Sequence, residues 1–303
     1  MVSGPILFNT PEADAMLSSL QVFPKDNPWN EDISDRPVHP DSDRMIEAIG
    51  KNLKFRWNQD MPYVLVPAGQ PKVPVALEAK DESDPGPYPI PENAPLEGWP
   101  LSGIPLDRLQ REGDGDRHVI VVDPFAMKLY ELFAVFRTPA GWKAGSGAIF
   151  DLRSNALRPD GWTSADAAGL PIFPAIVRYD ECARGMVNHA LRVTFRRTRR
   201  AYVYPATHYA SRLQDPVLPR MGERLRLRKD FDISRFPPHV QAILKGLKKY
   251  GMIVADNGID WAISTAPDSR IQGLETLDDK AVKGKDFEVI VPTGPREGPR
   301  APH

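Results

Sequence analysis

A chain of 303 residues, 41% hydrophobic and 26% charged, can form one large domain or two small ones and bury a substantial core. Its net charge of -1 gives no global attraction to nucleic acid or anionic lipid. The single cysteine, Cys182, excludes an internal disulfide and a cysteine-rich zinc site, and no run of about 18 apolar residues is present to span a membrane.

Proline is the unusual component, with 32 prolines against 22 glycines. Each interior proline removes a helical hydrogen bond and clashes with the preceding turn, so the chain cannot be mostly helical. The expectation is a mainly β fold, a β-sandwich or twisted and largely antiparallel sheet, with a few peripheral helices. The N-terminus has neither a basic nor a continuous apolar region, so no signal peptide is visible.

Residues 1–20 read as an N-terminal extension with a helix over 11–20, capped by Thr10 and opened by Pro11. Residues 21–291 read as a single globular domain. Asn27, Pro28, Trp29 and Asn30 suggest a rigid loop anchored by Trp29. A helix is predicted over 43–49, capped by Asp41 or Ser42 and ended by Gly50. Short strands are predicted at 63–66 and 73–77. The proline-rich stretch 81–102 could be a linker, but Tyr88, Ile90, Leu96 and Trp99 favour a stiff surface loop.

Residues 117–123 and 128–137 form a strand-turn-strand pattern around Asp123, Pro124, Phe125 and Ala126. One more strand is predicted over 142–150, loosened by Gly145 and Gly147, before a long loop at 152–174. Strands are predicted at 176–179, 189–195 and 201–205, and a half-exposed one at 224–228, where Leu alternates with Arg. The strongest helix spans 237–250. Val240, Ile243, Leu244 and Leu247 share one face, Lys245, Lys248 and Lys249 lie opposite, and Gly251 stops it. Strands at 252–255, 260–264 and 287–291 complete the core, and 292–303 read as a flexible tail.

Several stretches carry a family resemblance: FPKDNPWNEDIS, GDRHVIVVD, KLYELF, WKAGSGAIFDLRSNALRPDGWTSADAAGLPIFP, HALRVTF, PATHYAS and LKKYGMIVADNG. Together they resemble a bacterial family of uncharacterised, mostly secreted proteins, some joined to carbohydrate-binding or fibronectin-like modules. The resemblance implies one domain over roughly residues 22–291 and an extracellular or periplasmic setting. It implies no reaction.

Residues 145–208 concentrate glycines, carboxylates, arginines and aromatics, as a site wall would. His118, His189 and His208 can act as general acids or bases, sit as structural histidines, or together bind zinc or copper. Glu131, Asp151, Asp166, Asp180, Glu181 and Asp256 are the nearby carboxylates. The plainer readings are an ion pair of Asp151 with Arg153, a turn cap for Asp166, and a solvated Asp180 or Glu181. Arg153, Arg158, Arg178 and Arg192 can fork onto an anion, and Trp162, Tyr202 and Tyr204 can stack on sugar rings. The basic run at 195–200 reads as a solvated turn, and Cys182, beside two carboxylates, is a poor nucleophile.

These residues suggest a carbohydrate-active enzyme that cleaves glycosidic bonds by hydrolysis or elimination. The catalytic candidates are His118, Glu131, Asp151, Asp166, His189, Tyr204 and His208. The substrate-binding candidates are Arg153, Arg158, Trp162, Arg178, Arg192 and Tyr202. The expected partner is a polysaccharide or oligosaccharide, with no nucleic acid, no membrane span and no cofactor. The alternatives are a non-catalytic glycan-binding or cell-envelope protein, and a metal-dependent oxidoreductase built on His118, His189 and His208.

Overall fold

A computed structural model describes residues 4–292 and residue 294. The fold is mainly β with few helices, built on three mixed sheets. The first sheet contains β1 (Ile6–Leu7), β3 (Val64–Leu65), β5 (Val119–Asp123), β6 (Lys128–Phe133) and β9 (Ser146–Asp151), paired in that order. The second has the order β14 (Phe287–Val289), β11 (Arg224–Leu227), β12 (Met252–Asn257), β10 (Leu191–Phe195), β13 (Ala262–Thr265) and β2 (Arg56–Gln59). A small third sheet joins β4 (Val75–Leu77), β8 (Gly141–Ala144) and β7 (Phe136–Thr138).

The sheets are less antiparallel than expected. β3 with β5, β10 with β12, β13 with β2, and β4 with β8 all run parallel. Such pairs need crossover connections, which local sequence patterns do not reveal. Six α-helices of the described residues surround the sheets: α1 (Pro11–Ser19), α2 (Ser42–Ala48), α3 (Leu106–Arg111), α4 (Tyr179–Ala183), α5 (Pro238–Lys249) and α6 (Thr276–Asp279). Among the described residues, no helix is long and apolar enough to cross a membrane.

The first sheet is the middle layer. Alternation along β5 sends Ile120 and Val122 into the main core and Val119 and Val121 into a smaller core on the opposite face. The smaller core is closed by the third sheet and by the proline-rich segment, whose Tyr88, Ile90 and Leu96 are buried. That segment is thus part of the body. Its backbone pairs Tyr88 with Val73 in both directions, and Tyr88 also donates its hydroxyl to the Asp84 carbonyl.

Locally encoded features match their sequence patterns. Thr10 Oγ1 accepts from the Ala13 N–H and caps α1. Asp123 Oδ1 accepts from the N–H groups of Phe125 and Ala126, closing the turn between β5 and β6. The buried face of α5 is the one read from its periodicity. Trp29 is buried, as its loop suggested.

Other elements differ. The first twenty residues are not an appendage, because β1 pairs with β3 and α1 buries Ala13 and Leu17. Helix α2 begins at Ser42, whose hydroxyl accepts from the Val289 N–H instead of capping the helix. The strand expected at 176–179 shrinks to one bridge, Val177 with Thr265, and Tyr179 opens α4. Asp180 and Glu181 in its first turn suit the positive end of a helix. Residues 201–205 form a loop with one bridge, Tyr202 to Met221. The predicted strand at 142–150 is two strands, β8 and β9, divided at Gly145. In β11, Arg224 is buried, because its guanidinium reaches Glu31 and the Tyr250 carbonyl. The tail expected at 292–303 falls almost wholly outside the described residues.

If the proline-rich segment closes a core, Tyr88→Ala should destabilise the protein by about 3–5 kcal/mol, as other large aromatic truncations do. Urea unfolding would measure this. Limited proteolysis should spare residues 81–102 in the native protein; rapid cleavage there would mark a linker instead.

Candidate functional site

A cavity of about 460 Å³ lies where the two large sheets meet. One wall carries Glu78, Asp116, Phe133 and Ser146, from the side of the first and third sheets. The facing wall carries Asp256 and Asn257 from the end of β12, with His208 beside them. Residues 163–167 of the long loop form the floor.

The backbone of Ala168 joins these parts. Its N–H donates to the Ala255 carbonyl at 2.9 Å, and its carbonyl accepts from the N–H groups of Thr207 and His208. Ala255 is the extra residue of a β-bulge. Val193 faces Val254, but Thr194 faces Asp256. A bulge redirects the side chains that follow it, and this one precedes the cavity carboxyl. Gly169 allows the close approach, with φ +74° and a position where a Cβ would lie 2.0 Å from Thr207 Oγ1. Ser164 Oγ donates within the loop to the carbonyls of Asp166 and Leu170 and accepts from the Asp166 N–H.

Asp166, buried, and Asp256, half-buried, form a carboxyl pair. Arg192 forks onto Asp166, with Nε and Nη2 each 2.7 Å from a carboxylate oxygen, and Nη2 lies 3.9 Å from Asp256. Nη1 donates to Ser264 Oγ on β13 at 2.7 Å. The Asp166 side chain is 0% exposed and that of Asp256 is 24% exposed, so Asp256 is the member that meets the cavity. Burial, and next the charge of Asp166, push Asp256 up to about 8, against the opposing charge of Arg192. The pair therefore holds a proton at neutral pH. With both Asp166 oxygens taken by Arg192, the arrangement is unlike two equivalent carboxyls sharing a water.

Behind the floor lies a second polar group. His118 pairs Nδ1 with Glu97 at 2.9 Å and Nε2 with the Ala165 carbonyl at 2.8 Å. Burial opposes its charged form, but the Glu97 hydrogen bond and charge raise it to about 9. Glu131 is fully buried and accepts from the N–H groups of Ile172 and Phe173. Burial nevertheless lifts it to about 7. Asp60 is also lifted to about 7, by burial and then by Glu97, and its Oδ1 has no hydrogen-bond partner.

Of the sequence candidates, only Asp166 and His208 line the cavity, with Arg192 directly behind. His118 and Glu131 hold the floor loop and do not meet the cavity as lining residues. Asp151 is a surface ion-pair partner of Arg153 and Lys128. His189 is structural: its ring bonds Glu181 and the Ala190 carbonyl, each at 2.8 Å. Arg178 bridges Asp180 and Glu181, both of which are buried rather than solvated. Against the cost of burial, Arg178 and His189 hold Glu181 down at about 2. Arg158 is a buried staple to Asp84, lying 5.5 Å from the Trp162 ring. Tyr202 and Tyr204 line a separate cavity of about 250 Å³. His118, His189 and His208, the alternative metal set, are not gathered into one group in the structure. Two of the rings are committed elsewhere, and no group of three His, Cys, Asp or Glu is placed to hold a metal among the described residues.

Glu78, Asp116, Asn257 and Ser146 were not singled out from the sequence, and Asp256 was noted only as a neighbouring carboxylate. The sequence shows only that Asp256 and Asn257 end an apolar run; the structure adds that their strand is parallel to β10. Carboxyl ends of parallel strands commonly open onto sites. Comparison with protein-family models, curated proteins and solved structures gives no match.

Asp60, Glu131 and His118 all have folded-state values above their ordinary 3.8, 4.5 and 6.5. Each contributes stability that is fully present below its ordinary value and is lost as pH rises through about 7, 7 and 9. The melting temperature should therefore fall between pH 6 and pH 9, and His118→Gln should flatten the upper part of that fall. A melting temperature that is constant or rises over this window would contradict the arrangement.

Proposed function

We propose that this protein hydrolyses glycosidic bonds, with Asp256 as the general acid. The supporting observation is the Asp256 carboxyl, raised by burial and by Asp166, in a cavity whose other charged lining side chains, Glu78, Asp116 and Asp166, are carboxylates. Cleavage of an acetal requires a proton on the leaving oxygen and develops positive charge on the sugar ring. An acidic cavity favours both. Ester or amide hydrolysis develops negative charge, which the same lining opposes.

In this reading Asp256 donates its proton to the leaving oxygen. Asp116 or Glu78, exposed on the facing wall, activates a water or receives the sugar carbon. Asp166 and Arg192 are positioning residues: the Asp166 charge favours a proton on Asp256, the Arg192 charge opposes it, and Arg192 holds Asp166 in place. The lining residues include no arginine or lysine, so no cation is placed to neutralise a uronate. Hydrolysis of a neutral glycan is thus favoured over elimination. The resemblance to mostly secreted proteins, some joined to carbohydrate-binding modules, supports a glycan outside the cytoplasm.

A second reading, non-catalytic glycan binding, draws on the aromatic rings of Tyr202, Tyr209 and His208 beside the cavity. A panel of polysaccharides separates the two. Hydrolysis predicts new reducing ends without the absorbance of unsaturated uronates. Asp256→Asn should lower kcat about 100- to 10,000-fold, the range expected for loss of a general acid. Activity of the native protein should decline above about pH 8, as Asp256 loses its proton. Full activity in Asp256→Asn would overturn the assignment, and glycan retention without reducing ends would favour binding.

A further inference from the structure

Residues 182–214 contain seven arginines and no lysine, aspartate or glutamate, in a chain whose net charge is -1. Arg184 pairs with Asp180, and Arg192 is buried on Asp166. The other five, Arg196, Arg197, Arg199, Arg200 and Arg212, lie past the end of β10, and the proposed reaction uses none of them. Arg199 is half-buried and the other four are exposed. Arg196 meets Asp260 at 3.6 Å, yet its side chain stays 73% exposed. Arg197, Arg199 and Arg212 make no ion pair among the described residues.

These arginines stand on an ordered turn. Thr198 is fully buried, and its hydroxyl pairs with the Asn257 side chain. Asn257 Nδ2 also donates to the Phe195 carbonyl. The Arg199 N–H donates to the Pro219 carbonyl, and the Arg200 N–H to the Leu213 carbonyl. The second of these bonds sets Arg212 alongside Arg200. A backbone held in this way has little ordering left to lose when a partner arrives.

Two exposed aliphatic side chains flank the arginines. Ile259, 47% exposed, adjoins Arg196: its carbonyl accepts from Thr194 Oγ1, and the carboxylate of the next residue, Asp260, accepts from the Arg196 N–H. Leu213, 42% exposed, adjoins Arg200. Guanidinium groups bordered by aliphatic tips suit an anionic bilayer, where cations meet lipid phosphates and apolar side chains enter the headgroup boundary. A polynucleotide gains nothing from Ile259 and Leu213. Its bases would also find Tyr209 already stacked against His208 and Tyr202, with the Arg200 guanidinium 5.6 Å from the ring centre.

We propose that this turn docks the protein on a membrane surface rich in anionic phospholipid. The five arginines meet the headgroup phosphates, and Ile259 and Leu213 enter the boundary beneath them. The docking is independent of the reaction in the acidic cavity. Asn257, which holds the turn, also lines that cavity, so the docked turn and the cavity share a side chain.

The test is sedimentation of the full chain with vesicles of phosphatidylcholine alone or with about one-third phosphatidylglycerol, at about 20 and about 300 mM salt. The protein should bind the anionic vesicles about tenfold or more tightly than the neutral ones, and high salt should release it. Arg197→Gln, Arg199→Gln and Arg212→Gln, none of which breaks an ion pair, should each weaken binding about fivefold. Leu213→Ser and Ile259→Ser should weaken it and leave its salt dependence unchanged. Lys245→Gln removes the same charge from α5, which bonds near the start of β10, and should have no effect. The melting temperature of each variant shows that it is folded.

Equal binding to neutral and anionic vesicles, or no binding to either, would overturn the proposal. So would anionic binding that survives all three arginine substitutions, or a loss on Lys245→Gln as large as theirs. Retention of oligothymidylate without vesicle binding would also overturn it, and would mark the turn as a nucleic-acid surface.

Discussion

The fork of Arg192 on Asp166 is the interaction on which the candidate site depends. Arg192 is buried on β10, and its guanidinium touches the floor loop through Asp166 and β13 through Ser264. Breaking a buried ion pair by removing one partner costs about 3–5 kcal/mol, because the other charge stays behind without compensation. Here such a break would also free Asp166 from its position beside Asp256. One contact thus links the second sheet, the long loop and the protonation of the cavity carboxyl.

Backbone geometry does the remaining alignment. The bulge at Ala255 turns Asp256 toward the cavity, and the same residue's carbonyl receives the Ala168 N–H. Because the Ala168 carbonyl accepts from Thr207 and His208, a displacement of the floor loop would move Asp166 and His208 together. The loop at 152–174 is therefore long without being loose. His118 and Glu131 hold it from beneath through the Ala165 carbonyl and the N–H groups of Ile172 and Phe173.

This explains what was legible in the sequence. The cap at Thr10, the turn at Asp123 and the apolar face of α5 are set by residues within a few positions of one another, and each has a local signature. From the region 145–208, where small residues, carboxylates and aromatics cluster along the chain, Gly145, Ser146, residues 163–167 and His208 line the cavity. The remaining lining carboxyls were not legible. Glu78, Asp116 and Asp256 come from three distant segments, which no local pattern joins. His189 and Arg178 looked chemical by residue type, yet they serve an internal polar cluster around Glu181. Residue type alone does not distinguish a buried staple from a reacting group.

The central claim is that Asp256 carries a proton at neutral pH. It is tested most directly by following the carboxyl resonances of protein labelled with carbon-13 at aspartate, assigned by comparison with Asp256→Asn and Asp166→Asn. The account predicts that the Asp256 carboxyl remains protonated at pH 7 and titrates near pH 8, and that Asp166→Asn lowers that midpoint. A resonance for Asp256 that titrates in the ordinary range near pH 4, with or without Asp166, would contradict it.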